Sequence, residues 1–148
     1  METRLIYADD LRAYLEGPWG ITRSIDDHRS GASGCFTGHA VFVPQGDGLD
    51  YRESGRLKTA DFDDDVHQGY SYQFPKPQCA EVSFTDGRAF HDLDLREGLW
   101  RASHQCAPDT YDGEFELDGE DVWRSQWIIH GPRKDMTIRT AYTRSTLI

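Results

Sequence analysis

Apolar and polar residues alternate with a period of two along most of the chain, as half-buried strands require when successive side chains point to opposite faces. The alternation is clearest from Cys79 to Cys106, CAEVSFTDGRAFHDLDLREGLWRASHQC. One face of this stretch takes Ala80, Val82, Phe84, Ala89, His91, Leu93, Leu95, Trp100, Ala102, His104 and Cys106. The other is polar, broken only by Phe90 and Leu99. Asp86-Gly87 and Glu97-Gly98 read as two-residue hairpin loops, because both central residues of a type I′ turn need φ > 0. Loops of that length set Phe84 opposite Ala89 and Val82 opposite His91, then Leu95 opposite Trp100 and His91 opposite His104. The two histidines are thus predicted to be cross-strand neighbours on the dry face.

The same pattern organises the rest. Asp9 and Asp10 offer N-cap carboxylates before Leu11, Tyr14 and Leu15, so a short helix is predicted there, stopped by Gly17-Pro18. Trp19, Ile21, Arg23 and Ile25 then alternate as a first strand, followed by Phe36, Gly38, Ala40 and Phe42 in a second. A four-residue turn, Gln45 to Gly48, places Phe42 beside Tyr51 and Ala40 beside Glu53. A brief strand over Arg56 to Ala60 precedes an acidic run, Asp61 to Asp65, predicted as a solvated loop. Tyr70, Tyr72 and Phe74 share one face of a strand that Pro75-Lys76-Pro77 ends. Tyr111, Gly113, Phe115 and Leu117 form another, and a three-residue loop at Asp118-Gly119-Glu120 pairs Phe115 with Trp123 and Tyr111 with Trp127. A last turn, Gly131 to Lys134, pairs Ile138 with Trp127 and Thr140 with Ser125. About ten short strands joined by tight turns, with no helix long enough for a parallel crossover, predict an all-β, antiparallel up-and-down barrel over residues 1–148 as one domain. A two-sheet sandwich is the competing architecture.

Composition narrows the function. The net charge of −10 opposes phosphate backbones, which argues against nucleic acid as a partner. The start METRLIYADD has no long apolar run, and three cysteines with no CxxC pair predict free thiols, no membrane segment and a cytoplasmic setting. At 37% hydrophobic residues, the 148-residue chain can bury one core without staples.

Gly17-Pro18-Trp19, following a short helix at the start of the first strand, resembles the G-x-W signature of lipocalins and their calycin relatives. That resemblance implies a barrel whose tryptophan closes one end beneath an arginine from the last strand, here Arg144, with Arg139 the other candidate. The motifs DGRAFH (86–91), HQCAPDTY (104–111) and HGPRKDMTIRTAYTR (130–144) are similar to those of a bacterial and fungal family of uncharacterised, lipocalin-like proteins of about this length. This implies a fold and no known activity.

A barrel of this size holds side chains or one small ligand, so inward polar residues are the candidate site. The alternation selects Arg23, Glu53, Tyr72, His91, His104, Tyr111 and Trp127 as ligand-binding candidates. Two imidazoles together in a dry site need donors, acceptors or a ligand between them. His91, His104 and Cys106 could be metal ligands only outside any recognised zinc spacing, and no metal is predicted. Some calycin-like barrels bind haem through one histidine, a role that His104 or His130 could fill. His104, Cys106 and Asp109 are too widely spaced along one stretch for a nucleophile set, and the cysteines read as small buried hydrophobes. The Gly131 to Lys134 tip could attract an anion at the barrel mouth. The expected partner is a small molecule, a carboxylate or a flat aromatic, with Arg23 pairing the carboxylate; oligomers remain compatible. The competing reading is an enzyme with Glu53 or a histidine as acid or base, resembling the phenolic-acid decarboxylases that share a lipocalin-like barrel.

Overall fold

The computed structural model describes residues 8–145. Asp10 caps α1 (Leu11–Leu15), its carboxylate accepting from the Ala13 N–H at 3.1 Å, and ten strands follow. They are β1 (Gly17–Asp27), β2 (Ser33–Gln45), β3 (Gly48–Lys58), β4 (Asp63–Lys76), β5 (Cys79–Phe84), β6 (Ala89–Asp94), β7 (Leu99–Cys106), β8 (Asp109–Leu117), β9 (Val122–His130) and β10 (Asp135–Arg144). All belong to one antiparallel sheet ordered β6-β5-β4-β3-β2-β1-β10-β9-β8-β7, in which the first and tenth strands pair. The sheet curls until β6 and β7 lie side by side, giving a nearly closed up-and-down barrel.

The closed end follows from the residues around Trp19. The Trp19 indole is fully buried, its Nε1–H donates to the Leu15 carbonyl at 2.8 Å, and α1 packs Leu11 and Leu15 beside it. Trp19 pairs with Arg144 across β1 and β10, and the Arg144 guanidinium lies 4.2 Å from the indole centroid, a cation-π contact worth about 0.5–2 kcal/mol. Arg144 also donates to the Tyr14 and Glu120 carbonyls. Arg139 instead faces outward, 3.5 Å from Asp26 and hydrogen-bonded to Gln126.

Several registers match the sequence reading: Phe42 with Tyr51, Ala40 with Glu53, Val82 with His91, Ile138 with Trp127 and Thr140 with Ser125. Four expectations need correction. The β5–β6 loop is three residues, Thr85 to Gly87, closed by Phe84 N–H to the Arg88 carbonyl, so Ser83 rather than Phe84 pairs with Ala89, and a bulge with Phe90 as the extra residue restores the Val82–His91 pair. The β8–β9 loop is longer than three residues, closed by Asp118 N–H to the Val122 carbonyl, so Phe115 pairs with Ser125 and Tyr111 with Ile129. No ladder joins β6 to β7 among the described residues: Gly98 N–H bonds the Leu95 carbonyl and Leu117 N–H the Gly98 carbonyl, which turns the chain away from a two-residue hairpin. His91 and His104 are therefore not ladder partners. Finally, Asp63 to Asp65 begin β4 instead of forming a loop, and Arg56 on β3 pairs with Asp63 and Asp65 across the ladder.

Candidate functional site

Between the Trp19 end and the opposite end, the barrel holds a half-open cavity of about 390 Å³. Its floor is a polar layer that β1, β3, β9 and β10 bring together: Arg23, Thr140 and Ser125 share one row of the sheet, and the Arg23 fork reaches Glu53 on β3. Arg23 meets Glu53 fork to fork, Nη1 to Oε2 at 2.7 Å and Nη2 to Oε1 at 3.0 Å. Its Nε–H donates to Thr140 Oγ1 at 2.8 Å, Nη2 reaches the Tyr142 hydroxyl at 3.4 Å, and the guanidinium lies 5.0 Å from the Phe36 ring centroid. Below the pair, the Tyr51 hydroxyl donates to Glu53 Oε1 at 2.5 Å and lies 3.5 Å from the Tyr142 hydroxyl.

Burial decides the protonation of this layer. It pulls the Arg23 pKa down, but the Glu53 hydrogen bond and the neighbouring Tyr142, Glu53 and Tyr51 push it up by more, so the guanidinium stays charged. Desolvation raises the Tyr51 and Tyr142 phenols, reinforced by Glu53 in both, and takes Tyr70 to about 12. All three are neutral donors at physiological pH.

Above the floor the walls are mostly apolar, with His67 and Gln68 of β4 the polar exceptions. Ile25, Phe36, Leu57, Val66, Ile129 and Ile138 line one part, and Tyr70, Phe90, Tyr111 and Trp127 form an aromatic flank. The β6 bulge turns Phe90 inward beside its neighbour His91, and its ring stacks on Trp127 with centroids 5.1 Å apart and planes 14° apart. Trp127 can lie flat because it covers Gly113, where an added Cβ would come within 2.7 Å of the indole.

Of the residues selected from the sequence, Arg23, Glu53, Tyr111 and Trp127 line this cavity together. Tyr72 is buried lower, edge-on to Phe42 at 5.1 Å. His91 stacks on Phe115 at 4.9 Å, His104 approaches Tyr111 at 6.0 Å, and both set their edges against Phe90, so neither lines the cavity. Burial pushes the His91 pKa down to about 4. His130 is exposed beside Asp135, and neither candidate haem histidine faces the cavity. Cys35 and Cys106 are exposed and Cys79 is half-buried, so they are not core fillers; the three thiols are free. No group of three His, Cys, Asp or Glu side chains among the described residues could hold a metal ion. At the 131–134 tip, Lys134 is held by Asp109 at 3.6 Å, and Arg29 donates to the Pro132 carbonyl. Sequence reasoning missed Phe90 in the site, because alternation alone put it on the wet face; it paired Tyr51 with Phe42 and Thr140 with Ser125 without naming them, or Tyr142, as a polar floor.

The model of a family of unknown function, DUF6314, matches residues 15–144. The chain belongs to the DUF6314 family. Among curated proteins there is no match. Solved structures show the fold of this DUF6314 member. The S-type phycobiliprotein lyase from Guillardia theta is similar, with a TM-score of 0.71 at 6% identity over 97% of this chain and 95% of that one. A de novo designed fluorescence-activating β-barrel reaches 0.50 at 14% identity, covering 92% and 98% of the two chains. A redesigned β-barrel also reaches 0.50, at 12% identity over 95% and 99%. No helix among the described residues of the DUF6314 chain is long and apolar enough to cross a membrane.

Proposed function

We propose that this DUF6314 protein is a small-molecule-binding barrel that works as one domain in the cytoplasm, with Arg23, Glu53, Tyr111 and Trp127 in contact with the ligand. The observation that carries this reading is the cavity of about 390 Å³, which combines a hydrogen-bonded polar floor with a flank of aromatic rings. Mostly apolar walls with a few convergent polar groups are the usual make-up of a ligand pocket. The phenols at the floor are held neutral, and Glu53 is engaged by Arg23 and Tyr51, so the groups are arranged to hold a molecule rather than to exchange protons with it. His91 and His104 support the flank from behind: their rings fix Phe90, which in turn stacks on Trp127. That a designed barrel of this fold is fluorescence-activating supports a use of the interior.

Native mass spectrometry of the protein purified from its own host tests the proposal. The expected result is a retained small molecule in the wild type that is absent from Ile138→Trp, whose indole would occupy the cavity. No added mass in the wild type, or the same added mass in both proteins, would sink the reading.

A further inference from the structure

We infer that the ligand is a flat, uncharged aromatic molecule bearing a hydroxyl or carbonyl oxygen, seated with that oxygen on the Arg23–Glu53 layer, and that carboxylates are rejected. This rests on the cavity being the ligand site. An inward arginine ordinarily signals a carboxylate, because its planar fork matches two carboxylate oxygens. Here that fork is already filled by Glu53, with both short contacts made. The pair is neutral as a unit. A second carboxylate would have to evict Glu53, which also holds the Tyr51 hydroxyl, or sit beside it as a like charge in a site with little water to screen it. Arg23 is the sole Arg or Lys among the lining residues, and the one lining histidine, His67, is an exposed residue of β4.

What the layer does offer is a neutral oxygen's set of partners. Four hydrogen bonds engage Arg23, from Nε, Nη1 and twice from Nη2, which leaves the second Nη1 hydrogen of its five donors. The buried Ser125 hydroxyl, which can donate or accept, lies on the same part of the wall. Flatness follows from the flank, where near-parallel Phe90 and Trp127 rings line the same cavity as Phe36 and Leu57.

The test is a titration of the full-length protein at pH 7 with 2-naphthol and with 2-naphthoate, one ring system carrying a neutral or an anionic head, followed by quenching of tryptophan emission and by calorimetry. The wild type is expected to bind 2-naphthol at least tenfold more tightly. Glu53→Gln frees the Arg23 fork, and the preference is expected to reverse toward 2-naphthoate. Equal or tighter binding of 2-naphthoate by the wild type overturns the inference while leaving the cavity as a ligand site, and so does a folded Glu53→Gln that keeps the wild-type order. Binding of neither probe, or binding that survives in Ile138→Trp, overturns the cavity reading and the inference with it. Where circular dichroism shows Glu53→Gln unfolded, the wild-type order of the two probes decides.

Discussion

At the scale of single residues, the site divides into groups that alternation reveals and groups that it cannot. Arg23, Glu53, Tyr111 and Trp127 were legible because each sits on the inward parity of a regular strand, and parity survives even where a register shifts by two, as between β8 and β9. The mutual neutralisation of Arg23 and Glu53 was not legible, since β1 and β3 pair through β2 and not with each other. His91 shows what burial does to a residue placed by the same parity. Its pKa is driven from 6.5 to about 4 by desolvation, with His104 adding to the depression, against the opposing hydrogen bond and charge of Asp92. A histidine depressed this way stays neutral in the folded protein while the unfolded chain takes up a proton. Its contribution is therefore intact above about pH 6.5 and is lost as the pH falls toward 4. Urea unfolding of the wild type across this window should lose about 2 kcal/mol more than His91→Gln does, allowing for partial exposure of the ring. Parallel pH profiles for the two proteins would show that His91 is not desolvated.

Elements departed from expectation where local backbone geometry overrode a simple count. The two-residue reading of Asp86-Gly87 was one residue short: Phe84 N–H bonds the Arg88 carbonyl and Gly87 N–H the Phe84 carbonyl, so Thr85 to Gly87 form a three-residue loop with Gly87 at φ 93°, and the bulge one step further on moved Phe90 from the wet face to the heart of the aromatic flank. An isolated Phe among polar residues was the only sign of it in the sequence. Glycine on an inward position was a signal left unused. Gly38 on β2 pairs with Gly55 on β3, and a Cβ at Gly38 would lie 2.1 Å from the Ser54 carbonyl oxygen. The close approach there leaves the space beside Phe36 over Arg23. Gly38→Ala must push β2 and β3 apart and is expected to cost about 2 kcal/mol or more in urea denaturation. Gly20→Ala on the outer face of β1, where the nearest atom is 3.7 Å away, should change stability little by comparison. Equal effects of the two substitutions would refute the close-approach account.

For the whole molecule, ten alternating segments and tight turns made closure the economical solution, and the G-x-W start with Arg144 marked the closed end; neither could show where the sheet stops. Strand pairing is read from turns, and the turn between β6 and β7 looked like all the others. Yet β6 and β7 end the strand order, and among the described residues the seam shows one side-chain hydrogen bond, from Trp100 Nε1 to Asp92 Oδ1 at 3.4 Å, with no backbone ladder. Packing must hold the seam: Phe90, His91, His104 and Phe84 meet behind it. Contacts of this kind lack the directional, water-excluding hydrogen bonds that protect amides, and edge strands open at lower free energy than strands bonded on both sides. Hydrogen exchange should therefore be fastest within the sheet at the amides of β6 and β7 that point into the seam, and slowest in β1 and its partners β2 and β10, which close over Trp19. A ligand stacked on Phe90 and Trp127 fixes the ring that spans the seam, so adding 2-naphthol is expected to slow exchange in β6 and β7 while leaving β1 and β10 unchanged. Uniform protection around the barrel in the free protein would show that the seam is bonded in solution, and protection gained at β1 instead of β6 would place the bound molecule away from Phe90.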